Sequence, residues 1–533
     1  MTSSILRAVA TALTASTLFL QGCGLLPSEP AHSVASLAAR IQQHIEQARF
    51  SAAQWGIKIV SLESGRTIFE RNADKYFIPA SSTKLYTGAL ALDTFAPSMR
   101  IPTRLYATAP IDPEGVMRGD LVLYGRGDPT FGAAEETGAV QHPFDALAAQ
   151  LTHMGLKRVR GHLVIDSSYF AAPPIGAAWQ ADDLQWSYGA EVSALTVNEN
   201  TFTLIVKPAA AAGQPCEITP EAGWMREGET DPASLPVKIV NRTFTTAAGA
   251  APGIGLYRKP GSGTLYVFGS LALSDTPWQS ALALPDAFKA IGRALSAALS
   301  KYQISIDGDL RIAHWPDREA QGIPERWTPL ARMESPALAD LLKQTFKRSQ
   351  NLYAQALWLQ AGRQISETAP ANACAKEGPA CTTEQWGVYA LNAFLPRAGI
   401  APNHAQIHEG SGLARPNLVT PAATVALLRY MSLHPAAHIF EDALPIAGVD
   451  GTLKNRMKNT AAQNNVHAKT GTLQYVYTLS GYVTTAAKER LAFSIMLNHY
   501  LPPESDSNAS SIPSPTDDID AIVVQLAEFL GHS

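Results

Sequence analysis

The chain has 533 residues, which at roughly 150 residues per domain predicts about three or four structural units. Apolar residues make up 46% and charged residues 17%, so the chain can bury a core, while a net charge of −4 without a long basic run argues against a nucleic-acid binder. Four cysteines and no C-x-x-C pair exclude a disulfide-dense scaffold and a zinc ribbon.

The N-terminal segment has the pattern of an export signal. Arg7 precedes an apolar stretch, 8–20, that is too short to span a bilayer as a stable helix, and Leu20-Gln21-Gly22-Cys23 follows. This ending resembles a bacterial lipobox, so we expect residues 1–22 to be a lipoprotein signal peptide and Cys23 to be acylated. Ordinary signal cleavage and an N-terminal helix remain the alternatives. Gly24 replaces the aspartate associated with inner-membrane retention, which favours a periplasmic protein held to the outer membrane through its N-terminal lipid only.

Apolar periodicity predicts two helices and a hairpin in the first hundred residues. Beyond Pro97 the pattern changes to short alternating runs separated by Gly/Pro-rich turns, which predicts an all-β block as far as about residue 324. The elements predicted before this block are the helix 34–48, the strands 55–62 and 67–71, and the helix 81–95.

Helical spacing returns after the β-rich block, and three strands precede a final helix. The two chain ends are therefore predicted to form one α+β unit, an antiparallel sheet flanked by helices, into which the middle block is inserted. Its C-terminal elements are the helices 335–347, 352–362, 385–397 and 422–432, the strands 466–469, 479–485 and 491–498, and the helix 519–530.

Export would place the cysteines in an oxidising compartment. Cys374 and Cys381 are seven positions apart in a loop-like stretch, which allows a local disulfide without deciding whether the two residues pair. Cys216 would then be left as a buried thiol.

The first motif with a chemical meaning is Ser81-Ser82-Thr83-Lys84. A serine at a helix start with a lysine three residues later places both side chains on one face, one turn apart. The helix N-terminus carries partial positive charge, and the Ser81 N–H can contribute to an oxyanion hole. Lys84 can act as a base only if burial or a neighbouring cation lowers its pKa. Alone, the motif is weak evidence, because a capping serine with a surface lysine is its usual interpretation.

Two further motifs follow, each of little weight alone. Ser349-Gln350-Asn351 lies between two predicted helices, where such residues commonly cap helix ends. Lys469-Thr470-Gly471-Thr472 lies on a predicted strand, where a glycine at the edge lets a ligand backbone approach closely. Lys469 offers positive charge to a carboxylate, and the Thr472 N–H could complete an oxyanion hole.

In this order the three motifs are the signature of penicillin-binding proteins and serine β-lactamases. Ser349 lies 268 positions after Ser81, and Lys469 lies 120 positions after Ser349. This spacing resembles the class C low-molecular-mass penicillin-binding proteins, the penicillin-binding protein 4 type of D-alanyl-D-alanine carboxypeptidase/endopeptidase. Further matching runs are Ile78-Pro79-Ala80-Ser81, Gly127-Asp128-Pro129-Thr130, Tyr188-Gly189-Ala190, Val192-Ser193-Ala194-Leu195-Thr196-Val197-Asn198, Gly410-Ser411-Gly412-Leu413-Ala414-Arg415 and Ala447-Gly448-Val449-Asp450-Gly451-Thr452-Leu453.

The resemblance implies an α+β fold, with a serine β-lactamase/transpeptidase-like domain of antiparallel sheet flanked by helices and two inserted β-rich domains. The catalytic domain would comprise 33–99 and 328–533. Inserted domain II would comprise 100–129 and 198–327, and domain III, 130–197, would be nested within it.

The resemblance also implies the reaction and its catalytic residues. Ser81 would attack the penultimate D-Ala carbonyl of a peptidoglycan stem peptide while neutral Lys84 takes its proton. Ser349 would pass a proton to the leaving amine, and Asn351 would bind the substrate amide and orient Lys84. β-Lactam antibiotics would acylate the same serine. No cofactor, metal or nucleic acid is expected.

Substrate-binding residues follow from the same resemblance. Lys469, Thr470, Gly471 and Thr472 would hold the terminal carboxylate and the oxyanion. An acidic residue near the end of domain III would contact the cationic stem diamino acid, and Asp182 and Asp183 are the candidates, with solvated loop acids as the alternative.

The sequence departs from the family pattern at one run. Glu409 and Ala414 stand where the family usually has the aspartate and the last serine of Asp-Gly-Ser-Gly-Leu-Ser. We expect neither change to affect the three catalytic motifs.

Two other functions are compatible with the motifs. A serine β-lactamase shares them, but no Glu-x-x-Leu-Asn pattern for class A deacylation occurs between Asn351 and Lys469. A non-catalytic cell-wall-binding scaffold is the second alternative, and the intact motifs argue against it.

Overall fold

The computed structural model describes residues 32–132, 143–222, 235–249, 253–318, 323–370, 372–376, 381–501 and 513–533. The predicted signal peptide 1–22 and the predicted lipidation site Cys23 lie outside these residues. In the described ranges, no helix is both long enough and apolar enough to cross a membrane.

Local sequence signals set many of the helix starts. Thr382 and Gln385 form a capping box before the helix Thr383–Phe394, and Pro421 occupies the first turn of the helix Pro421–Leu433, where its missing N–H is not needed. The helices of the described residues are α1 (Val34–Ile45), α2 (Thr83–Thr94), α3 (Pro143–His153), α4 (Ala287–Lys301), α5 (Leu338–Lys347), α6 (Asn351–Ser366), α7 (Thr383–Phe394), α8 (Pro421–Leu433), α9 (Ala437–Asp442) and α10 (Pro515–Ala527).

Within the described residues the strands form six sheets, two of them five-stranded. The strands are β1 (Gln54–Ser61), β2 (Thr67–Arg71), β3 (Pro102–Ala107), β4 (Val116–Met117), β5 (Leu121–Tyr124), β6 (Arg158–Val159), β7 (Leu163–Asp166), β8 (Thr201–Lys207), β9 (Glu217–Glu221), β10 (Lys238–Thr246), β11 (Gly253–Arg258), β12 (Thr264–Ala272), β13 (Trp278–Ala283), β14 (Ser305–Ile306), β15 (Leu310–Ala313), β16 (Thr328–Glu334), β17 (Ala405–Gln406), β18 (Leu418–Val419), β19 (His467–Leu473), β20 (Val476–Thr484) and β21 (Arg490–Asn498).

The two chain ends build one antiparallel sheet with the order β19-β20-β21-β1-β2. α1 and α10 cover one face with side chains such as Ile41 and Ile522, and α2, α5, α6 and α8 lie on the other. Because helices cover both faces, β20 and β21 are buried along nearly their whole length, and their residues do not alternate between buried and exposed positions. This arrangement confirms the predicted hairpin and the predicted sheet flanked by helices.

The middle of the chain is not all-β, which corrects the sequence prediction. α3 and α4 lie within it and pack on the strands β15-β7-β5-β3-β16 and their neighbours. The buried face of α4 includes Ala287, Ile291, Leu295 and Leu299, which recur at helical spacing. The flanking strand patterns dominate the interpretation of this segment from sequence, although its own apolar spacing is helical.

Two cysteine predictions can be compared with the structure. Cys374 and Cys381 form a disulfide, and Cys216 is a buried free thiol. The division into 33–99 with 328–533, 100–129 with 198–327, and 130–197 stays a prediction.

Candidate active site

Ser81 lies in a 3₁₀ turn, Ala80–Ser82, directly before α2. Ala80 has a φ of 48°, a left-handed conformation that an alanine keeps only when its surroundings hold it there. Thr478 on β20 provides that support, since its hydroxyl donates to Pro79 O at 3.0 Å and accepts from Ser82 Oγ at 2.8 Å. The backbone around Ser81 is therefore held by the sheet β19-β20-β21-β1-β2, called the central sheet below, as well as by the helix that follows it.

Lys84 is the second residue of α2, is fully buried, and has three polar contacts. Its Nζ lies 2.9 Å from Ser81 Oγ, 2.6 Å from Asn351 Oδ1 and 2.6 Å from the Ser411 carbonyl oxygen. The last two atoms can only accept, so they match the two N–H groups of a neutral amine. The nitrogen lone pair of that amine then remains for the Ser81 hydroxyl proton.

The surroundings of Lys84 favour this neutral form. Burial lowers the pKa of Lys84 from its usual value to about 7, because a buried ammonium loses its hydration, and the negative charge of Glu409 opposes part of that shift. An amine with a pKa near neutrality can both accept and return a proton at the pH of most cells.

Ser349 and Asn351 lie at the junction of α5 and α6, as the sequence predicts. Ser349 has a φ of 57°, and Asn351 begins α6. The Asn351 amide accepts from Lys84 through Oδ1 and donates through Nδ2 to the Tyr188 carbonyl at 2.8 Å. These two bonds determine the orientation of the Asn351 amide, because a flipped amide would direct its NH₂ group toward the N–H groups of Lys84.

The third motif lies on β19, the edge strand of the central sheet. Lys469 is fully buried and its Nζ lies 2.9 Å from Ser349 Oγ and 2.8 Å from the Thr470 carbonyl. Burial, with repulsion from Lys84, lowers the pKa of Lys469 well below its usual value. A bound anion would oppose both effects and restore its positive charge.

Close packing explains why position 471 is a glycine. A Cβ at this position would meet the Thr478 hydroxyl, and would lie 2.6 Å from Pro79 O and 3.0 Å from Ser81 N. The glycine thus allows the turn that carries Ser81 to pack closely against β19, whereas the sequence pattern had suggested close approach of a ligand backbone. Thr472, next on the strand, is exposed.

The three motifs border one cleft with a volume of about 450 Å³. Asp182 and Asp183 line it too, Asp182 being exposed and Asp183 half-buried. Tyr188 hydrogen-bonds Asp183, and burial raises the pKa of Asp183 above its usual value. The lining residues are Ser81, Gln180, Asp182, Asp183, Tyr188, Ser349, Asn351, Gly412, Leu413, Arg415, Thr472, Leu473 and Gln474.

Sequence reasoning missed the surroundings of Glu409. Its carboxylate is fully buried beside the lysine site, its charge acts on Lys84, and its loop supplies the Ser411 carbonyl. The expectation that glutamate in place of the family's aspartate leaves the three motifs unaffected stays a prediction. The sequence marks the run 410–415 only by its match to the family, and no local pattern in it indicates a contact with Lys84.

A helix-borne serine beside the edge strand of an antiparallel sheet, with helices on both sheet faces, defines the serine β-lactamase/transpeptidase-like class. The sequence profile of the D-Ala-D-Ala carboxypeptidase 3 (S13) family matches residues 37–521. A D-alanyl-D-alanine carboxypeptidase of Actinomadura sp. (strain R39) is 31% identical over 527 residues, covering 95% of this chain and 88% of that protein. The D-alanyl-D-alanine carboxypeptidase DacB of Haemophilus influenzae is 25% identical over 456 residues, covering 85% of this chain and 87% of that protein.

The fold comparison agrees. The crystal structure of penicillin binding protein 4 from Haemophilus influenzae matches with a TM-score of 0.75 at 23% identity, covering 92% of this chain and 99% of that one. The chain belongs to the D-Ala-D-Ala carboxypeptidase 3 (S13) family. The predicted family, fold class and enzyme class, a serine peptidase, are thereby confirmed.

Proposed function

We propose that this chain is a serine-type D-Ala-D-Ala carboxypeptidase/endopeptidase that acts on peptidoglycan stem peptides and is inhibited by β-lactams. The observation that carries the proposal is the position of Lys84 Nζ, 2.9 Å from Ser81 Oγ with two pure acceptors on its other sides. The H. influenzae penicillin binding protein 4 is known in complex with a β-lactam, which is consistent with this proposal.

In the acylation step, Ser81 Oγ bonds to the penultimate D-Ala carbonyl carbon as Lys84 Nζ takes the hydroxyl proton. The Ser81 and Thr472 N–H groups would receive the developing oxyanion, and losing one such donor typically costs about 3 kcal/mol of transition-state stabilisation. The amide C–N bond then breaks: Ser349 gives its hydroxyl proton to the leaving amine and receives the proton that Lys84 took from Ser81, so Lys84 is neutral again. Lys469 Nζ, 2.9 Å from Ser349 Oγ, would orient that hydroxyl.

Deacylation uses water. Neutral Lys84 removes a proton from the water as its oxygen attacks the ester carbon, and the proton returns to Ser81 Oγ as the ester bond breaks. Lys469, Thr470 and Thr472 would bind the terminal carboxylate, and Gly471 would keep the strand close enough to the Ser81 turn for both to contact one substrate.

Substrate selection would involve Asp182 and Asp183. Their segment reaches the cleft beside Asn351, and the Tyr188 carbonyl contacts the Asn351 amide. A carboxylate there would pair with the free amino group of the stem diamino acid, and a half-buried one is screened less than an exposed one.

The test is intact mass after incubation with penicillin. Wild type should gain one penicilloyl group, and Ser81→Ala should gain none. Absence of an adduct on wild type, or an adduct that survives Ser81→Ala, overturns the proposal. Release of D-Ala from a pentapeptide separates the enzyme from a non-catalytic wall-binding scaffold, and rapid multiple turnover of penicillin would indicate a β-lactamase instead.

We also propose the periplasmic, outer-membrane-anchored location, which depends on Cys23 and the signal pattern before it. Labelling of cells with a fatty acid analogue should mark the wild-type chain and leave Cys23→Ala unlabelled. The proposal would be overturned if the wild-type chain, like Cys23→Ala, carried no label and were found outside the membrane fraction.

A further inference from the structure

Glu409 precedes the loop Gly410-Ser411-Gly412, and its buried carboxylate accepts six hydrogen bonds. Each of the six partners is a donor, a set that an ionised carboxylate satisfies without leaving a polar atom unpaired. Oε2 accepts from Trp179 Nε1 (3.2 Å), Ser411 N (2.8 Å) and Ser411 Oγ (2.6 Å), and Oε1 accepts from Gly412 N (2.7 Å), Ala414 N (3.4 Å) and Asn417 Nδ2 (2.8 Å).

The loop that Glu409 holds contacts α2 at two points. The Ser411 carbonyl accepts from Lys84 Nζ at 2.6 Å, and the Gly410 carbonyl accepts from Thr87 Oγ1 at 2.6 Å. Because three of the six bonds to Glu409 come from the loop itself and a fourth comes from Ala414, two residues beyond it, the carboxylate determines where the Ser411 carbonyl lies.

The same carboxylate reaches the segment that carries Asp182 and Asp183. Trp179 donates its indole N–H to Glu409, three residues before Asp182. A second buried acid, Glu384 on α7, accepts from Ala177 N at 3.0 Å. The segment 177–183 is therefore held by hydrogen bonds to two buried carboxylates, those of Glu409 and Glu384.

Gln355 links Glu384 to the loop, since its amide donates to Glu384 Oε1 at 2.6 Å and accepts from Gly410 N at 2.8 Å. Burial, with the negative charge of Glu409, raises the pKa of Glu384 to about 7. Among the described residues, the charged groups that act on Lys84 are therefore Glu409, at the start of the loop, and Lys469 on β19. Glu384 lies farther from Lys84, on the other side of Gln355.

We infer that Glu409 is a positioning residue for this reaction, which holds the carbonyl that orients Lys84 and, through Trp179, the segment that carries Asp182 and Asp183. The inference rests on the proposed function and adds a residue to it. It gives two separable roles to one side chain, a charge beside Lys84 and a hydrogen bond to Trp179.

Four variants separate these roles. E409Q removes the charge. E409D keeps the charge but is shorter by one carbon–carbon bond of about 1.5 Å, so it should lose the 3.2 Å contact with Trp179. W179F removes only the indole donor. E384Q is the matched control, because it makes the same change in the same cluster on a side chain that has no contact with the Ser411 loop.

The measurements are the rate of acylation by a chromogenic β-lactam between about pH 5 and pH 9, and kcat and KM for a pentapeptide with a free side-chain amine. Removing a neighbouring negative charge lowers the pKa of Lys84, so in E409Q the acid limb should move to lower pH by about one unit, and the plateau should fall roughly ten- to a hundredfold. E384Q and W179F should keep the acid limb of wild type. E409D and W179F should raise KM for the peptide about threefold or more.

The outcomes distinguish the inference from the proposed function. If wild type itself is not acylated, the proposed function fails. If wild type is acylated and folded E409Q has the same acid limb and plateau, the inference fails. Should E409Q not fold, as a thermal melt would show, E409D and W179F decide the question, and an unchanged KM in both overturns the inference.

Discussion

Lys84 Nζ lies 2.6 Å from Asn351 Oδ1, although 267 positions separate the two residues in the chain. The helix that carries Asn351 thus supplies an acceptor to the lysine on α2, and the amide is held from its other side by the Tyr188 carbonyl. A change in the charge at Asn351 Oδ1 should therefore shift the pKa of Lys84 directly.

Asn351→Asp should move the acid limb of acylation to higher pH by about one to three units. The new carboxylate would stabilise the ammonium form of Lys84 and raise its pKa, so the neutral base would appear only at higher pH. Acylation rates by a chromogenic β-lactam across the pH range measure this shift. Asn351→Ala, which removes the contact without adding charge, is the control, and an acid limb at the wild-type pH in the aspartate variant would contradict the prediction.

The wild-type acylation rate should rise with pH through a midpoint near 7. The pKa of Lys84 is about 7 in the folded chain and only the neutral amine can accept the Ser81 proton, so activity is lost as pH falls through that value. Replacing Lys84 by alanine should lower acylation by roughly 10²- to 10⁴-fold, the usual contribution of a general base. A flat profile in a protein that stays folded across the range would exclude Lys84 as the titrating base.

Asp183→Asn should raise KM for a stem peptide with a free side-chain amine more than Asp182→Asn does. Asp183 is half-buried and hydrogen-bonded to Tyr188, whereas Asp182 is exposed and its charge is screened by water. Steady-state kinetics with the peptide and with its amine-acetylated form give the comparison. Both variants should still be acylated by penicillin at nearly the wild-type rate, and an equal loss for both peptides would indicate a folding defect.

Gly471→Ala should reduce both stability and acylation. The added Cβ would press against Pro79 O and the Thr478 hydroxyl, and overpacking of this kind costs roughly 1–3 kcal/mol. Displacing the neighbouring Ser81 backbone should also lower acylation, by roughly 10²-fold for a shift of about 1 Å.

Thermal melts and acylation rates test the Gly471 prediction together. Gly253→Ala is a matched control, since no atom of the described residues lies within 4 Å of an added Cβ there and its backbone is not left-handed. A wild-type melting temperature and acylation rate in Gly471→Ala would mean that β19 and the Ser81 turn can separate without consequence.

Sequence patterns predicted the catalytic unit well where packing has a regular period. The α1 stripe at Leu37, Ile41 and Ile45 is buried as helical spacing requires, and the β1–β2 hairpin has the predicted partners. The same reasoning missed α4, because the segment lies among strand patterns that dominated its interpretation, although its own apolar residues recur at helical spacing.

The sequence by itself determined the chemistry, because a serine one helical turn from a lysine, a Ser-x-Asn pair and a Lys-Thr-Gly strand are short-range patterns. Only the tertiary structure decided how these groups are tuned. The pKa of Lys84 depends on its complete burial and on Glu409, and the Glu409 carboxylate is satisfied by Trp179, 230 positions away. Desolvation and hydrogen bonding of a buried charge depend on which atoms surround it in space, and no local sequence pattern specifies that.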